Sequence, residues 1–170
     1  VVPYIILELA EGDVRRQLRL LDTKFQLPWK LRALHHAAVG LRQLHSLGIA
    51  HQDLKPSNIM GFEQGTIFKI GDFGRSSRRG ATPLHDDYTW AGDTSYAPPE
   101  LLYGDVDPNW QTRRFGCDLH LLGSMISFFL TGQSTTALLM SELALTHRPT
   151  ALRGRWAGRY RDVLPFVRAA

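Results

Sequence analysis

The sequence predicts a mainly α-helical fold with short β hairpins, an α+β chain, and three observations support this prediction. Apolar residues recur at helical spacing between residues 28 and 48, and two short β-type runs flank residues 63–65. A second apolar helical stretch covers residues 118–130. The chain has 170 residues, of which 44% are apolar and 21% charged, which suits one globular core and excludes a disordered or fibrous chain.

Charge, cysteine content and hydropathy exclude several classes of protein. The 20 Lys and Arg residues against 16 Asp and Glu residues leave a net charge of +4, which does not by itself indicate nucleic acid, and we expect no such partner. The single cysteine, Cys117, excludes an internal disulfide framework and fits a reducing compartment, so we expect a cytoplasmic protein. The longest apolar stretch, residues 121–130, is interrupted by Gly and Ser and is too short to span a bilayer, so we expect no membrane partner.

The first residues, 1–9, form a nearly continuous apolar run that predicts a buried β-strand. Glu11-Gly12 breaks this run, and Asp13 is a suitable N-cap for a short helix with apolar residues at i, i+4 and i+7 from Val14. Because the chain does not begin with Met and ends within a helix-like run, we expect it to be cut at both ends.

A long amphipathic helix follows. Pro28 suits its first turn and Gly48 suits a left-handed C-terminal cap, which predicts about five turns between them. Its histidines are not expected to bind a metal, because adjacent His35 and His36 point in different directions on a helix. Its predicted apolar face is made of Leu31, Leu34, Ala38, Leu41 and Leu44.

The middle of the chain predicts a hairpin, a long loop and a central helix. The runs 58–62 and 66–70 are joined by Glu63-Gln64-Gly65 and indicate a β-hairpin. Residues 71–99 lack apolar periodicity and predict a long loop, and such loops in compact domains are usually functional. The helix at 118–130, ending near Gly132, is apolar nearly all round and is expected to be central.

Two short motifs hold the residues that can do chemistry. The first, His51-Gln52-Asp53-Leu54-Lys55-Pro56-Ser57-Asn58, precedes the hairpin, and the second, Asp72-Phe73-Gly74, follows it. Carboxylate and amide oxygens are hard ligands suited to Mg²⁺, and a lysine ammonium suits a phosphate. A polar loop with incidental carboxylates is the alternative. The two motifs resemble the catalytic loop and the metal-binding Asp-Phe-Gly element of protein kinases, with Gln52 where Arg is usual.

The chain is therefore similar to the C-terminal lobe of a eukaryotic-type protein kinase, and the resemblance covers about residues 1–132. The Lys-Pro pair after Asp53 resembles the Ser/Thr class, and the histidine-glutamine-aspartate form of the loop favours a bacterial member. The resemblance implies one partial kinase domain with three parts: the end of the hinge strand and the hinge at 1–13, the helical C-lobe at 14–170, and within it an activation segment at 72–100.

The resemblance also implies roles for the motif residues. Asp53 would accept or orient the proton of the acceptor hydroxyl, and Lys55 would contact the γ-phosphoryl group of ATP. Asn58 and Asp72 would bind Mg²⁺, with Mn²⁺ as the alternative metal, and so hold the phosphates. His51 would pack against Phe73 and hydrogen-bond the backbone, rather than act as a base or ligand.

Residues 7–13 resemble the hinge that binds the nucleotide base. Backbone groups of Glu8 and Ala10 would meet the adenine edge, and Asp13 would reach the ribose. The alternative is a buried edge strand followed by an N-cap aspartate.

Three further residues are assigned by the resemblance. Asp118 would anchor the catalytic-loop backbone, with a helix N-cap as the simpler role. Glu100, at the end of the activation segment, would pair with Arg148. Asp93 stands where a Thr is usual, which leaves the placement of the acceptor hydroxyl open.

A kinase N-terminal lobe, with its Gly-rich loop and strand lysine, is not in this sequence. We expect the missing lobe to be a partner of these residues, and the 170-residue piece alone to be inactive. Because Gln52 is uncharged, it cannot form a charge-assisted pair with a phosphorylated loop residue, so we expect equal activity before and after phosphatase treatment.

Three functions remain in competition. The first is a Ser/Thr protein kinase that transfers the γ-phosphoryl group of ATP to protein hydroxyls. The second is a pseudokinase-like binding module without turnover, and the third is a small-molecule kinase of the same fold. A basic cluster near the end is interpreted as a solvated helix face, with docking to an acidic partner or to nucleic acid as the alternative; it comprises Arg153, Arg155, Arg159 and Arg161.

Overall fold

The computed structural model describes residues 4–82 and 88–170, and it confirms a mainly helical α+β chain. Predictions for residues 1–3 and for 83–87 of the activation segment lie outside these described residues. The helices are α1 Val14–Leu20, α2 Thr23–Ser46, α3 Pro99–Leu102, α4 Trp110–Thr131, α5 Thr135–Glu142 and α6 Tyr160–Ala169. The strands are β1 Gly12–Asp13, β2 Ile49–Ala50, β3 Ile59–Phe62, β4 Ile67–Ile70 and β5 Ser77–Arg78. Short 3₁₀ turns occur at Pro56–Asn58, Phe73–Arg75 and Thr150–Leu152.

The predicted buried strand at the start of the chain is wrong for residues 4–9. These residues form no strand, and the large apolar side chains among them are 81% to 92% exposed. A buried strand needs a paired neighbour and a covered face. In this part of the described chain the pairing begins only at β1, where Gly12 faces Gly61 of β3. The edge-strand alternative fails for the same reason.

The short helix α1 begins where its cap predicted. The Oδ1 atom of Asp13 accepts the N–H of Arg16 at 3.0 Å, as an N-cap does. Val14 is fully buried at the start of the helix. This helix packs on the turn at residues 56–58 and on β3, so its cap lies beside the loop that carries the first motif.

The long helix α2 begins earlier than its proline predicted. It starts at Thr23, where the side chain of Asp22 accepts the N–H of Lys24 at 3.1 Å, and Pro28 lies inside it. Pro28 has no N–H, so the helix lacks only the hydrogen bond to the carbonyl four residues before it, and the cap at Asp22 offsets this loss. The predicted end is confirmed, because Gly48 has a φ of +69° and donates its N–H to His45.

The buried side of α2 is wider than the sequence predicted. Leu41 is buried, but Leu31 is 57% exposed, and Ala33 and Ala37 are buried in its place. The helix packs against β4 on one side and α4 on another, so the covered arc is broad. The core consists of Val14, Ala33, Ala37, Leu41, Leu54, Ile59, Phe68, Cys117, Leu121, Met125 and Phe129.

The hairpin is confirmed. Strands β3 and β4 pair antiparallel, with Ile59 opposite Ile70 and Phe62 opposite Ile67. The connection at residues 63–65 has three successive positive φ values of 50°, 58° and 73°. The long loop after it is broken by β5, which pairs antiparallel with β2 and ties the segment to the end of α2.

The helix α4 begins at Trp110, eight positions before the predicted start, because the side chain of Asn109 caps the N–H of Thr112 at 3.1 Å. It ends at Thr131, and Gly132 has a φ of +81°, as predicted. The helix is not covered all round, since Leu119, Ile126 and Leu130 are exposed.

No single helix among the described residues has the length and apolarity to cross a membrane. Helices α4 and α5, bent by 73° relative to each other, together meet the criteria of length and composition for a membrane span.

Candidate active site

The first motif forms a buried loop between β2 and β3. The exposed fractions are 0% for His51, 3% for Gln52, 7% for Asp53 and 4% for Asn58. Gln52 has a φ of +66°, a left-handed conformation that non-glycine residues rarely adopt. A conformation of this kind persists only where surrounding contacts hold it, and for Gln52 those contacts come from α4 and from residues 75–77.

The carboxylate of Asp118 holds the loop backbone. Its Oδ2 accepts the N–H of His51 at 2.8 Å, and its Oδ1 accepts the N–H of Gln52 at 2.7 Å. The Nε2 of His45 lies 2.8 Å from the same Oδ2, so the buried carboxyl group has three polar partners. The anchoring role that the resemblance implied for Asp118 is confirmed, and its role as an N-cap is wrong because α4 starts at Trp110.

His51 joins the two motifs. Its Nε2 donates to the carbonyl of Gly71 at 3.0 Å, and its Nδ1 faces the N–H of Asp53 at 3.3 Å. A carbonyl can only accept, so the ring proton is on Nε2. The ring also meets Phe73 edge to face at a centroid distance of 5.4 Å. The prediction that His51 packs against Phe73 and bonds the backbone is confirmed.

Asp53, Lys55 and Asn58 lie in direct contact. Lys55 Nζ is 3.1 Å from Asp53 Oδ2, and Asn58 Nδ2 donates to the same Oδ2 at 3.2 Å and to the Asp53 carbonyl at 2.8 Å. These contacts fix the Asp53 carboxylate in one orientation at the edge of the buried loop. The amide oxygen of Asn58 accepts the Ser57 hydroxyl at 3.2 Å.

The hairpin brings Asp72 back to this loop. The N–H of Gly71 donates to the carbonyl of Asn58 at 2.8 Å, which places Asp72 one residue beyond that contact. Asp72 has a φ of +60°, is exposed, and accepts the N–H of Gly74 at 3.3 Å. The amide oxygen of Asn58 and the carboxylate of Asp72 are hard donors that fit Mg²⁺ with phosphate and water as its further ligands. Among the described residues, no cluster of three or more His, Cys, Asp or Glu could hold a metal alone.

Asp93 enters the site from the far end of the activation segment. Its N–H donates to Asp53 Oδ1 at 3.1 Å, and its Oδ2 lies 3.8 Å from Lys55 Nζ. Burial raises the pKa of Asp93, but hydrogen bonds from Ser95 and the charge of Lys55 outweigh this and leave its pKa below the ordinary value. Lys55 is therefore shared between the carboxylates of Asp53 and Asp93.

The segment after Asp93 is fixed to α5. The hydroxyl of Thr136 donates to the carbonyl of Ala97 at 2.8 Å, and the hydroxyl of Ser134 donates to the carbonyl of Ser95. The Nε2 of His120, on α4, lies 3.1 Å from the Thr136 hydroxyl. Sequence reasoning missed these supports, because only the positions of Ser134 and Thr136 at the start of a helix marked them.

Gln52 also makes contacts that the sequence did not indicate. Its Nε2 donates to the carbonyl of Arg75 at 2.8 Å and to the hydroxyl of Ser77 at 2.9 Å. Its Oε1 accepts from a guanidinium N–H of Arg114, which is 2% exposed on α4. The side chain therefore connects the buried loop at residues 51–58 to residues 75–77 and to α4.

The predicted Glu100–Arg148 ion pair is wrong. Arg148 instead donates to the carbonyl of Leu143 at 2.7 Å and to the carbonyl of Ser141 at 3.3 Å. These carbonyls lie at the end of α5, where unpaired acceptors attract a cation. Within the described chain, Glu100 forms no ion pair.

The residues of the predicted hinge are engaged by neighbouring side chains. Glu8 forms an ion pair with Lys69 of β4, and Ala10 is half-buried. Asp13 lies 3.0 Å from Arg15 Nη2; burial raises its pKa, while Arg15 and the N–H of Arg16 outweigh this and lower it. Contact of Glu8, Ala10 and Asp13 with ATP stays a prediction.

The basic cluster near the end is partly neutralised. Asp162 lies 3.0 Å from Arg159 and 3.6 Å from Arg161, and Arg153 and Arg155 are exposed. These contacts favour a solvated surface.

Comparison with known families matches residues 2–144 to the protein kinase domain. Aurora/IPL1-related protein kinase 2 of Caenorhabditis elegans is 29% identical over 130 residues, covering 76% of this chain and 39% of the relative. Cell division control protein 2 homolog 2 of Trypanosoma brucei brucei is 30% identical over 156 residues, covering 91% and 44%. Serine/threonine-protein kinase PknL of Mycobacterium tuberculosis is 27% identical over 133 residues, covering 78% and 31%.

The fold has a counterpart among solved structures. A chain of the yeast RNA Pol II CTD kinase CTDK-1 complex superposes with a TM-score of 0.57 at 25% identity, covering 75% of this chain and 39% of that one. The chain thus spans less than half the length of these relatives. The relatives include bacterial and eukaryotic proteins, so a bacterial origin stays a prediction.

Proposed function

Because the chain belongs to the protein kinase domain family, we propose that the protein containing it transfers the γ-phosphoryl group of ATP to Ser and Thr hydroxyls of proteins. One observation carries the proposal. The Asp53 carboxylate is held by Lys55, Asn58 and the N–H of Asp93 on a loop that Asp118 anchors. Phosphoryl transfer depends on such positioning and charge stabilisation more than on covalent help from the protein.

Asp53 is the residue that receives the acceptor hydroxyl. The N–H of Asp93 donates to its Oδ1, and the amide of Asn58 donates to its Oδ2. These two hydrogen bonds fix the direction in which the carboxylate can accept a further hydrogen bond. A hydroxyl that donates to this carboxylate is oriented for attack and can pass its proton there as the new P–O bond forms and the bond to ADP breaks.

Lys55 supplies positive charge at the same place. Its ammonium is 3.1 Å from Asp53 and can neutralise a transferring phosphoryl group next to the bound hydroxyl. Asn58 and Asp72 are the residues that would hold Mg²⁺, and that ion would offset the charge of the ATP phosphates. In this proposal an N-terminal lobe supplies the other half of the nucleotide pocket.

A binding module without turnover is the second candidate, and Asp93 favours it. Its carboxylate adds a further negative charge 3.8 Å from Lys55, where an anionic phosphoryl group would have to bind. If that charge is not displaced, nucleotide would bind without transfer.

The test is transfer of label from γ-labelled ATP to a protein acceptor, using the protein expressed from its complete gene. We expect labelled phosphoserine or phosphothreonine, and a loss of about 10²–10⁴-fold in rate for Asp53→Asn. Asp107→Asn, at an exposed aspartate, is the matched control and should keep the wild-type rate. Nucleotide binding without transfer would support the binding module, and label found only on a metabolite would support a small-molecule kinase. Undiminished transfer by Asp53→Asn would overturn the proposed mechanism.

A further inference from the structure

We propose that Gln52 is a positioning residue that fastens the start of the activation segment to the catalytic loop through hydrogen bonds that need no phosphoryl group. The inference rests on the proposed function and adds a residue to it. It starts from the burial of this side chain, which is 3% exposed while every polar atom of its amide has a partner.

The donor side of the amide holds the segment. Both N–H groups of Nε2 are used, one on the carbonyl of Arg75 at 2.8 Å and one on the hydroxyl of Ser77 at 2.9 Å. Ser77 is itself 3% exposed and lies in β5. Strand β5 has only two residues, so its pairing with Ile49 and Ala50 is short, and the bond from Gln52 to the Ser77 hydroxyl adds to its attachment.

The acceptor side of the amide is fixed by α4. The Oε1 atom accepts from the buried guanidinium of Arg114, which sets the orientation of the amide, because a guanidinium can only donate and the Arg75 carbonyl can only accept. A neutral amide thus suits this position, because its oxygen accepts from the Arg114 guanidinium and its NH2 group donates to the Arg75 carbonyl and the Ser77 hydroxyl. A second guanidinium at position 52 would face Arg114 with like charge.

The backbone of Gln52 touches the other end of the segment. A Cβ atom on Gly92 would lie 2.5 Å from the Gln52 carbonyl oxygen, so the chain before Asp93 packs directly against residue 52. The N–H of Gln52 is held by Asp118 at 2.7 Å. One residue therefore contacts both ends of the activation segment while its own backbone is anchored to α4. Release of its side chain is expected to loosen the segment that positions Asp93 beside Asp53.

The test is hydrogen exchange of the amides at residues 75–79 in the complete protein, with three substitutions. Gln52→Met removes both sides of the contact, Gln52→Glu keeps an acceptor for Arg114 but replaces the donor, and Ser77→Ala removes one acceptor. Gln133→Met, at an exposed glutamine, is the matched control. We expect exchange about tenfold or more faster in both Gln52 variants, a smaller increase in Ser77→Ala, and none in the control.

A purely structural role, in which Gln52 only satisfies Arg114, predicts wild-type protection in Gln52→Glu, and that result would overturn the inference. Where Gln52→Met fails to fold, Gln52→Glu and Ser77→Ala decide the question. Steady-state kinetics add a second reading, since loss of positioning lowers kcat for transfer at unchanged KM for ATP. The exchange measurement needs no phosphoryl transfer, so an inactive wild-type protein would count against the proposed function while the exchange result still decides the role of Gln52.

Discussion

Asp118 accepts the backbone N–H of His51 at 2.8 Å across 67 positions of sequence, which fastens the buried loop at residues 51–58 to the middle of the long helix α4. The aspartate is fully buried, and its second oxygen holds the next N–H of the loop, that of Gln52. A buried carboxylate whose two oxygens both accept loop N–H groups makes α4 the support of the proposed active site.

Asp118→Asn is expected to destabilise the fold and lower activity together. The amide presents a donor where the carboxylate accepted, so one buried N–H of the loop loses its partner, at a cost of about 1–3 kcal/mol. Urea unfolding of the variant and of the exposed control Asp107→Asn measures the difference. A variant as stable as wild type would show that the loop is held by other contacts.

Gly92→Ala is expected to reduce phosphoryl transfer without unfolding the protein. Its Cβ would meet the Gln52 carbonyl at 2.5 Å and Asp53 Oδ1 at 2.8 Å, so the segment must move away from Asp53. We expect a loss of about tenfold or more, since small misplacements of reacting groups cost up to about 10²-fold.

Gly116→Ala is the control for that change, because nothing lies within 4 Å of its Cβ position on α4. Alanine is the better helix former there, so this variant should gain about 0.5–1 kcal/mol of stability and keep its activity. Equal activity of the Gly92 and Gly116 variants would contradict the close packing at Gly92.

The thiol of Cys117 is expected to be unreactive in the folded protein. It is 8% exposed, and burial, helped by the neighbouring Asp118 carboxylate, raises its pKa far above the ordinary value. Alkylation followed by mass spectrometry of the peptide that contains Cys117 should show modification only after denaturation. Rapid labelling of that peptide in native buffer would mean that the core around α4 opens.

The contribution of Asp93 to the free energy of unfolding is expected to depend on pH. Its folded-state pKa is below the ordinary 3.8, so the contribution is fully present above that value and is lost as pH falls through the lower folded pKa. Asp93→Asn should therefore lower the unfolding free energy at pH 7 by less than about 1 kcal/mol, because the pair is partly exposed. The difference in unfolding free energy between the variant and wild type should shrink in denaturation curves recorded below about pH 4. A difference that grew in acid would contradict the lowered pKa of Asp93.

Local backbone chemistry made parts of the fold predictable. The cap at Asp13, the left-handed Gly48, the helix end near Gly132 and the turn at 63–65 depend on residues close together in the sequence, and the structure has them where the sequence indicated. The early start of α2 was missed because the cap at Asp22 competes with the more visible signal of Pro28.

Long-range contacts could not be predicted in the same way. The strand expected at the start of the chain depends on neighbours that must cover it, and residues 4–9 are exposed. The partners of the Gln52 side chain lie 23 to 62 positions away, at residues 75–77 and on α4. Family resemblance indicated the roles of His51 and Asp118, but no spacing rule could indicate what replaces a missing arginine charge.

In the proposed mechanism the Asp53 carboxylate serves the acceptor hydroxyl, and the Asp72 carboxylate serves the metal and the nucleotide. The most direct test compares Asp53→Asn with Asp72→Asn in the complete protein, measuring Mg²⁺-dependent ATP affinity and phosphoryl transfer side by side. We expect Asp53→Asn to bind ATP as wild type does while transfer falls by about 10²–10⁴-fold, and Asp72→Asn to lose the Mg²⁺-dependent part of ATP binding. Wild-type transfer by Asp53→Asn, or unchanged Mg²⁺-dependent binding by Asp72→Asn, would contradict this division of roles.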